Sequence, residues 1–330
     1  MNASSAATLA QLVAKAAPIV SVQLGQAVQL GEPVLIKDQT RTLVLRAQVL
    51  GAGTRASVII KALRDDAATG FTEWAALAFL AELPAARELV PGFVGGSVAQ
   101  RIIVLEDLGP GITLHDLLMS STLSQAEASL GDLARQMARL HLATCGHELR
   151  FSQLRQGLPA AEGHGRQREA AAWLASRERV RAWLTATSCA TPIGFDAGLE
   201  LIAADYAEPG PWLSFSHGDP APSNNHSAGE RVRLLDFEYG AYRHMFYDIS
   251  AWNILCPLSA VAHLRRRARP CHALACPSST RRKRFMYVSH EVRKDHREKT
   301  CMRAAFVCFV YFVVHQMHIF EQHEHRLTRS

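Results

Sequence analysis

The chain lacks the marks of a membrane or disulfide-stapled protein. None of its apolar runs reaches the roughly 18 residues that span a bilayer. The longest, residues 304–314, has 11. The first 20 residues carry no basic cluster ahead of an apolar stretch, and Lys15 interrupts their apolar part. They read as an amphipathic helix rather than a signal peptide. The expectation is a cytoplasmic protein with no membrane span. Cysteine is scarce in the body: Cys145, Cys189 and Cys256 are the only three before residue 259, which excludes a disulfide framework. No C-x-x-C pair occurs. Cys271, Cys276, His315 and His318 therefore make a poor zinc set. The basic run 281–284, "RRKR", has no interleaved aromatics, and no nucleic-acid partner is expected. No repeat of solenoid period is visible.

What is present is a globular composition, 48% apolar and 20% charged in 330 residues. The net charge of +6 is unevenly spread. Residues 259–330 carry 15 Lys plus Arg against 5 acidic residues, and the first 258 carry 21 against 25. The tail also holds eight of the fifteen His. Its first half, "RRRARPCHALACPSSTRRKR", shows no period of a packed helix or strand. We expect residues 259–330 to be an atypical basic segment foreign to the fold, such as one read out of frame.

The body alternates in a recognisable order. After a helical first 30 residues, "PVLIKD", "TLVLRAQVL" and "ASVIIKAL" are rich in β-branched residues and separated by the turn signals "DQT" and "GAGTR". They predict an antiparallel meander. "GFTEWAALAFLAELPAA" predicts a helix ended by Pro84, and "GGSVAQRIIVLEDLG" another strand pair, closed by Gly109-Pro110-Gly111. Beyond that break the pattern is helical. "TLHDLLM" opens it. "SQAEASLGDLARQMARLHLAT" follows, with Ser124 as N-cap and Glu127 three residues on. "REAAAWLASRERVRAWLTAT" predicts a second long helix, "NNHSAGERVRLLDFE" a hairpin, and "MFYDISAWNILC" a helix. The fold class predicted is α+β in two lobes: 1–108, an antiparallel sheet with a helix, and 109–258, mainly helical.

The chemistry concentrates in residues 216–225, "SHGDPAPSNN". Pro220 and Pro222 exclude a regular helix, so this is a shaped loop. Asp219 and Asn224 stand in a D-x-x-x-x-N pattern, and Asp236 follows twelve residues later at the end of "VRLL". Phosphoryl transfer needs such a set: a carboxylate to accept the hydroxyl proton of the acceptor, and an Asn carbonyl with a second carboxylate to hold Mg²⁺. Upstream, Lys61 lies inside an apolar strand and Glu73 twelve residues on, placed to pair with it. His217 reads as a structural loop histidine, and His141 as a packed helix residue. Glu238 is either a metal or acceptor contact or a strand-end charge.

These pieces resemble the aminoglycoside phosphotransferase and choline kinase superfamily, small-molecule kinases of protein-kinase-like fold. The matching segments are "VIIKAL", "FTEWAALAFL", "IIVLEDLG", "LARQMARLH", "HGDPAPSNN" and "LLDFEYGAYRHMFYDIS", within about residues 40–256. The resemblance implies Asp219 as catalytic base and Asn224 and Asp236 as metal ligands. It implies Lys61 and Glu73 as nucleotide-site residues, with Glu106 and Leu108 in a hinge whose backbone reads adenine. It implies ATP and Mg²⁺, a small-molecule acceptor of aminoglycoside, choline or sugar type, and Asp248 as a buried brace of the catalytic loop. Gly218 stands where protein kinases carry Arg, which favours a small acceptor. There are departures. "LGAGTRAS" has only Gly51 and Gly53, and a plain hairpin turn is its better reading. The tail departs altogether. Acidic residues Asp196, Glu200, Asp205 and Glu208 and aromatics Tyr239, Tyr242 and Trp252 lean toward a cationic acceptor. The other reading is a kinase-fold nucleotide-binding protein impaired by its substituted C-terminus.

Overall fold

The computed structural model describes residues 3–51, 56–64, 67–120, 123–159, 165–186, 191, 194–228 and 231–248. The segment 249–330 lies outside the described residues, and with it the expectations for the tail, for Trp252 and for the end of the "MFYDISAWNILC" helix. In chain order the elements are α1 (Ala3–Leu24), β1 (Gln29–Leu30), β2 (Val34–Asp38), β3 (Thr42–Leu50), β4 (Ser57–Leu63), α2 (Ala67–Glu82), β5 (Phe93–Ser97) and β6 (Ile102–Glu106). There follow α3 (Leu114–Ser120), α4 (Leu123–Thr144), α5 (Glu148–Gln156), α6 (Arg166–Ala175), α7 (Arg177–Ala186), α8 (Phe195–Ala207), β7 (Leu213–Ser216), β8 (Asn225–Ala228), β9 (Arg231–Leu234) and β10 (Ala241–His244). This is α+β: an antiparallel sheet lobe, then a mainly helical lobe with two small strand pairs, the arrangement expected of a kinase-like fold.

The sheet runs β1-β3-β4-β6-β5, with β2 also paired to β3. Side chains of a strand alternate between faces. On β4, Val58, Ile60 and Ala62 turn to one face, where they pack with Leu9, Val13, Ala16 and Val20 of α1. These four α1 positions recur at helical spacing, so one stripe of the helix closes that face. By length and composition α1 is the one helix among the described residues apolar enough to cross a membrane. Its buried stripe is an ordinary core contact. Ile59, Lys61 and Leu63 turn to the opposite face, toward α2, where Leu63 and Ile59 join the main core. The same alternation therefore aims a lysine at α2.

Two details differ from the sequence expectation. The long helix predicted from Arg168 onward is two helices, α6 and α7, broken at Ser176. The Ser176 hydroxyl donates to the Trp173 carbonyl at 2.7 Å, and serine bonding back to the preceding turn competes with helix continuation. Helix α4 already begins at Leu123, so Ser124 is helical rather than a cap. The hairpin expected near Ala228 is present as β8 against β9, with Ala228 opposite Arg231.

The lobes share an aromatic joint. Phe79 of α2 is fully buried, with ring centroids 5.7 Å from Phe151, 5.6 Å from Phe215 and 6.0 Å from Tyr242. Three helical-lobe rings thus hold the sheet-lobe helix. Phe79→Ala leaves a void that this rigid cluster fills poorly, so we expect a loss of about 3–5 kcal/mol in urea unfolding. A loss below about 1 kcal/mol would show that the joint carries little load.

Candidate active site

The site assembles from three segments. The first is Lys61 on β4. Its ammonium donates to Glu73 Oε1 of α2 at 2.6 Å and to Asp236 Oδ1 at 2.5 Å. Burial alone would lower its pKa, but the two carboxylates outweigh that and raise it, so the amine is held charged. Asp236 is pushed below its ordinary value, chiefly by Lys61. Glu73 is raised, because it is fully buried and one ammonium must serve two carboxylates.

The second segment is the loop after β7. Gly218 has φ +86, and a Cβ there would overlap the carbonyl of Tyr239. Only glycine lets this loop lie against the Asp236–Tyr239 turn. Asp219, half-buried, accepts from Asn224 Nδ2 at 3.1 Å through Oδ2 and at 3.0 Å through its backbone carbonyl. The loop hangs from Asp248, which accepts from Ser216 Oγ at 2.7 Å, the backbone N–H of His217 and of Gly218 at 2.9 Å each, and His141 Nε2 at 3.0 Å. Asp248 is the buried brace that the resemblance implied. His217 donates Nε2–H to the Leu235 carbonyl at 2.7 Å and accepts the Asp219 N–H on Nδ1 at 3.3 Å. Burial lowers its pKa, and with both ring nitrogens engaged it is a structural loop histidine.

The third segment is the β8–β9 hairpin. Leu235 N–H donates to the Asn224 carbonyl at 3.0 Å, which closes the hairpin base and brings Asn224 beside Asp236. Asp236 has φ +61, a left-handed conformation that Asp tolerates better than most residues. Asp236 and Asn224 offer hard oxygen donors, which suit Mg²⁺. The Lys61 ammonium at 2.5 Å already marks Asp236 as a cation-holding carboxylate. Among the described residues no group of three or more His, Cys, Asp and Glu could hold a metal. The pair thus fits an ion that takes further ligands from phosphate and water.

No family model matches the chain, and neither does any curated protein. Among solved structures, the gentamicin complex of APH(2")-IIa aligns at 11% identity over 90% of this chain and 95% of its own, with a TM-score of 0.46. The ADP-bound aminoglycoside phosphotransferase APH(2'')-Ib aligns at 13% over 88% and 96%, TM-score 0.45. An ethanolamine kinase of Plasmodium vivax aligns at 14% over 88% and 77%, TM-score 0.47. At such identity and superposition the likeness assigns no activity to this chain.

Other site residues fall as follows. Glu106 ends β6. It grips Gly92, whose N–H donates to Glu106 Oε2 at 2.9 Å and whose carbonyl accepts the Glu106 N–H at 2.8 Å. Leu108 is half-buried just beyond. "GAGTR" joins β3 to β4, and residues 52–55 lie outside the described residues. The register sets Gln48 opposite Ser57 but Val44 opposite Lys61. That connection is therefore about 13 Å of strand away from Lys61. The acidic and aromatic groups ahead of and behind the loop are largely engaged. Asp196 pairs with Arg181, and Glu200 with Arg177 at 2.9 Å. Tyr242 is buried, its hydroxyl donating to the Thr144 carbonyl at 2.6 Å. Glu238 is ion-paired with Arg41 at 2.9 Å.

Three residues escaped the sequence reading. Buried Asn225 accepts the Leu114 N–H at 2.8 Å and donates to the Pro222 carbonyl at 3.0 Å, tying the 216–225 loop to α3. Asp107 accepts from Arg46 Nη2 at 3.0 Å, Ser57 at 2.5 Å and the Gly109 N–H at 3.0 Å, pinning the segment after β6 to the sheet. Arg243 donates twice to Glu169 and, at 2.8 Å, to the Tyr239 carbonyl, fixing the Asp236 turn from below. The doubled Asn and the Asp of "LEDLG" were visible signals. The Arg243–Glu169 pair, 74 residues apart, had none.

Asp248 gives the sharpest stability test. Burial alone would raise it; His141 above all, with the nearby His217 and the Gly218 N–H, instead brings it from an ordinary 3.8 down to about 2. A depressed carboxylate contributes stability above its unfolded pKa and loses it as pH falls through the folded one. We expect Asp248→Asn to cost about 2–4 kcal/mol at pH 7. The gap to wild type should narrow as pH drops from 4 toward 2. A gap independent of pH in urea titrations would contradict this.

Proposed function

We propose that the chain is a small-molecule kinase that transfers the terminal phosphoryl group of ATP, with Mg²⁺, to a hydroxyl of a small acceptor. The carrying observation is the Lys61 ammonium bridging Glu73 and Asp236, set beside a loop that presents Asp219. We take 1–108 and 109–258 as the two lobes, with the nucleotide in the cleft between them. The Leu108 N–H, with no acceptor on it among the described residues, and the backbone of Glu106 suit adenine. Lys61, fixed in direction by Glu73, suits the α- and β-phosphates. When bound, Mg²⁺ neutralises phosphate charge, and Asn224 and Asp236 are the residues that would hold it.

The chemistry left to the chain is positioning and one proton. The acceptor oxygen forms the new bond to phosphorus as the bond to the departing diphosphate breaks. Asp219 takes the hydroxyl proton. Its Asn224 contact orients the carboxylate, and Asp248 holds the loop backbone so that this orientation is retained without reorganisation. The family resemblance supports an aminoglycoside-, choline- or sugar-like acceptor. The other reading, a nucleotide-binding protein impaired by a substituted C-terminus, rests on the tail, which lies outside the described residues.

The test separates binding from chemistry. Asp219→Asn should keep MgATP affinity within about threefold while turnover falls about a hundredfold or more, the scale of a lost general base. Asp236→Ala should weaken MgATP binding at least about tenfold, yet leave metal-free ATP binding no weaker, since a carboxylate that repels phosphate is gone. Calorimetry and a coupled transfer assay read both. Near wild-type turnover in the first variant, or unchanged MgATP affinity in the second, would contradict the roles.

A further inference from the structure

The β2–β3 turn, residues 39–41, lies at the Leu63 end of β4, where Thr42 stands opposite Leu63 and Val44 opposite Lys61, and it contains no glycine: the run from the end of β2 reads Asp38-Gln39-Thr40-Arg41. A phosphate cradle of backbone N–H groups relies on glycine for close approach. This turn is built differently. Gln39 N–H donates to the Thr42 carbonyl at 2.9 Å, and Arg64 N–H to the Arg41 carbonyl at 2.8 Å. The Arg64 guanidinium adds bonds to Asp38 Oδ1 at 2.6 Å and the Gln39 carbonyl at 2.8 Å. The backbone is stapled to the end of β4, which leaves any reach to the helical lobe to a side chain.

Arg41 makes the reach. Its guanidinium crosses to the helical lobe, donating to Glu238 Oε1 at 2.9 Å and to the Tyr239 hydroxyl at 3.0 Å. Two neighbouring oxygens on a planar fork are also how arginine takes a phosphate. Glu238 is two residues past Asp236, the Lys61 partner. Lys37 of β2 adds further positive potential on Asp236. Three cations of the sheet lobe thus converge on the Asp236–Tyr239 turn. The Arg41–Glu238 pair is partly open to water, with side chains 44% and 21% exposed, and pairs of this kind are weakly held. A polyanion of higher charge would displace it.

We infer that Arg41 is a side-chain clamp for the polyphosphate, parked on Glu238 and Tyr239 until the nucleotide arrives and exchanged onto phosphate oxygens when it does. This rests on the nucleotide reading of the cleft and adds the residue that replaces a glycine-built cradle. It predicts that Glu238 competes with the ligand for Arg41.

Calorimetry at low salt in chelator, with inorganic tripolyphosphate and with adenosine as separate probes, tests it. Arg41→Gln should weaken tripolyphosphate about tenfold, the scale of one charge-assisted contact, and change adenosine less than about twofold. Arg41→Lys should recover part of the loss. Glu238→Gln should tighten tripolyphosphate about threefold, and that gain should vanish in the Arg41→Gln background, as coupled sites require. Equal losses for both probes would mean that Arg41 only holds the lobes together, and no loss for either would overturn the clamp outright. A wild-type protein that binds adenosine but not tripolyphosphate also overturns it while leaving the cleft reading intact. One that binds neither removes the nucleotide reading itself.

Discussion

The buried carboxylate of Asp248 is the constraint on which the site depends. It gathers donors from α4, from the end of β7 and from two consecutive backbone amides of the loop that carries Asp219. Each of those donors would be costly to leave unpaired in the interior. The loop, with glycine at 218 and prolines at 220 and 222, has no regular ladder to hold it. Asp248 supplies the missing order, and the close approach of Gly218 to Tyr239 then decides where Asp219 stands relative to the Asp236 turn.

Around that fixed loop the two lobes meet through opposite charges and an apolar joint. The sheet lobe presents cations, Lys61 and Arg41, and the helical lobe presents Asp236 and Glu238. The buried end of this row is strong and the outer end weak, because desolvation strengthens a charge pair only where its remaining hydrogen bonds are satisfied. Phe79 among Phe151, Phe215 and Tyr242 sets the lobe spacing from the far side. On the nucleotide reading proposed above, phosphates would compete with these carboxylates for Lys61 and Arg41.

Much of this was legible in the chain. The three β-branched runs, the helix after them and the hairpin before "LLDF" follow from period and turn chemistry, and they appear as β2, β3, β4, α2 and the β8–β9 pair. The pairing of Lys61 with Glu73 followed from placing one on a strand and the other on the next helix. Illegible were features that depend on which distant groups meet. Tyr242 looked like an acceptor aromatic and is turned into the core toward Thr144. Asp196 and Glu200 looked like free acids and are matched by arginines of α7. The serine that splits α6 from α7 is one residue in an otherwise helical pattern. Nothing in the sequence singles out Arg41, because its reach across 197 positions to Glu238 is a property of the folded cleft.

The central claim is transfer of a phosphoryl group to a hydroxyl, and phosphorus NMR of the full chain with MgATP and a panel of aminoglycosides, amino alcohols and sugars tests it most directly. The account predicts that one acceptor yields a phosphomonoester resonance growing in step with ADP. It also predicts that Asp219→Asn slows the growth of that resonance about a hundredfold or more while the shift of the ATP signals on binding persists. ATP signals unperturbed by the wild-type protein, with neither ADP nor phosphomonoester formed across the panel, would contradict it.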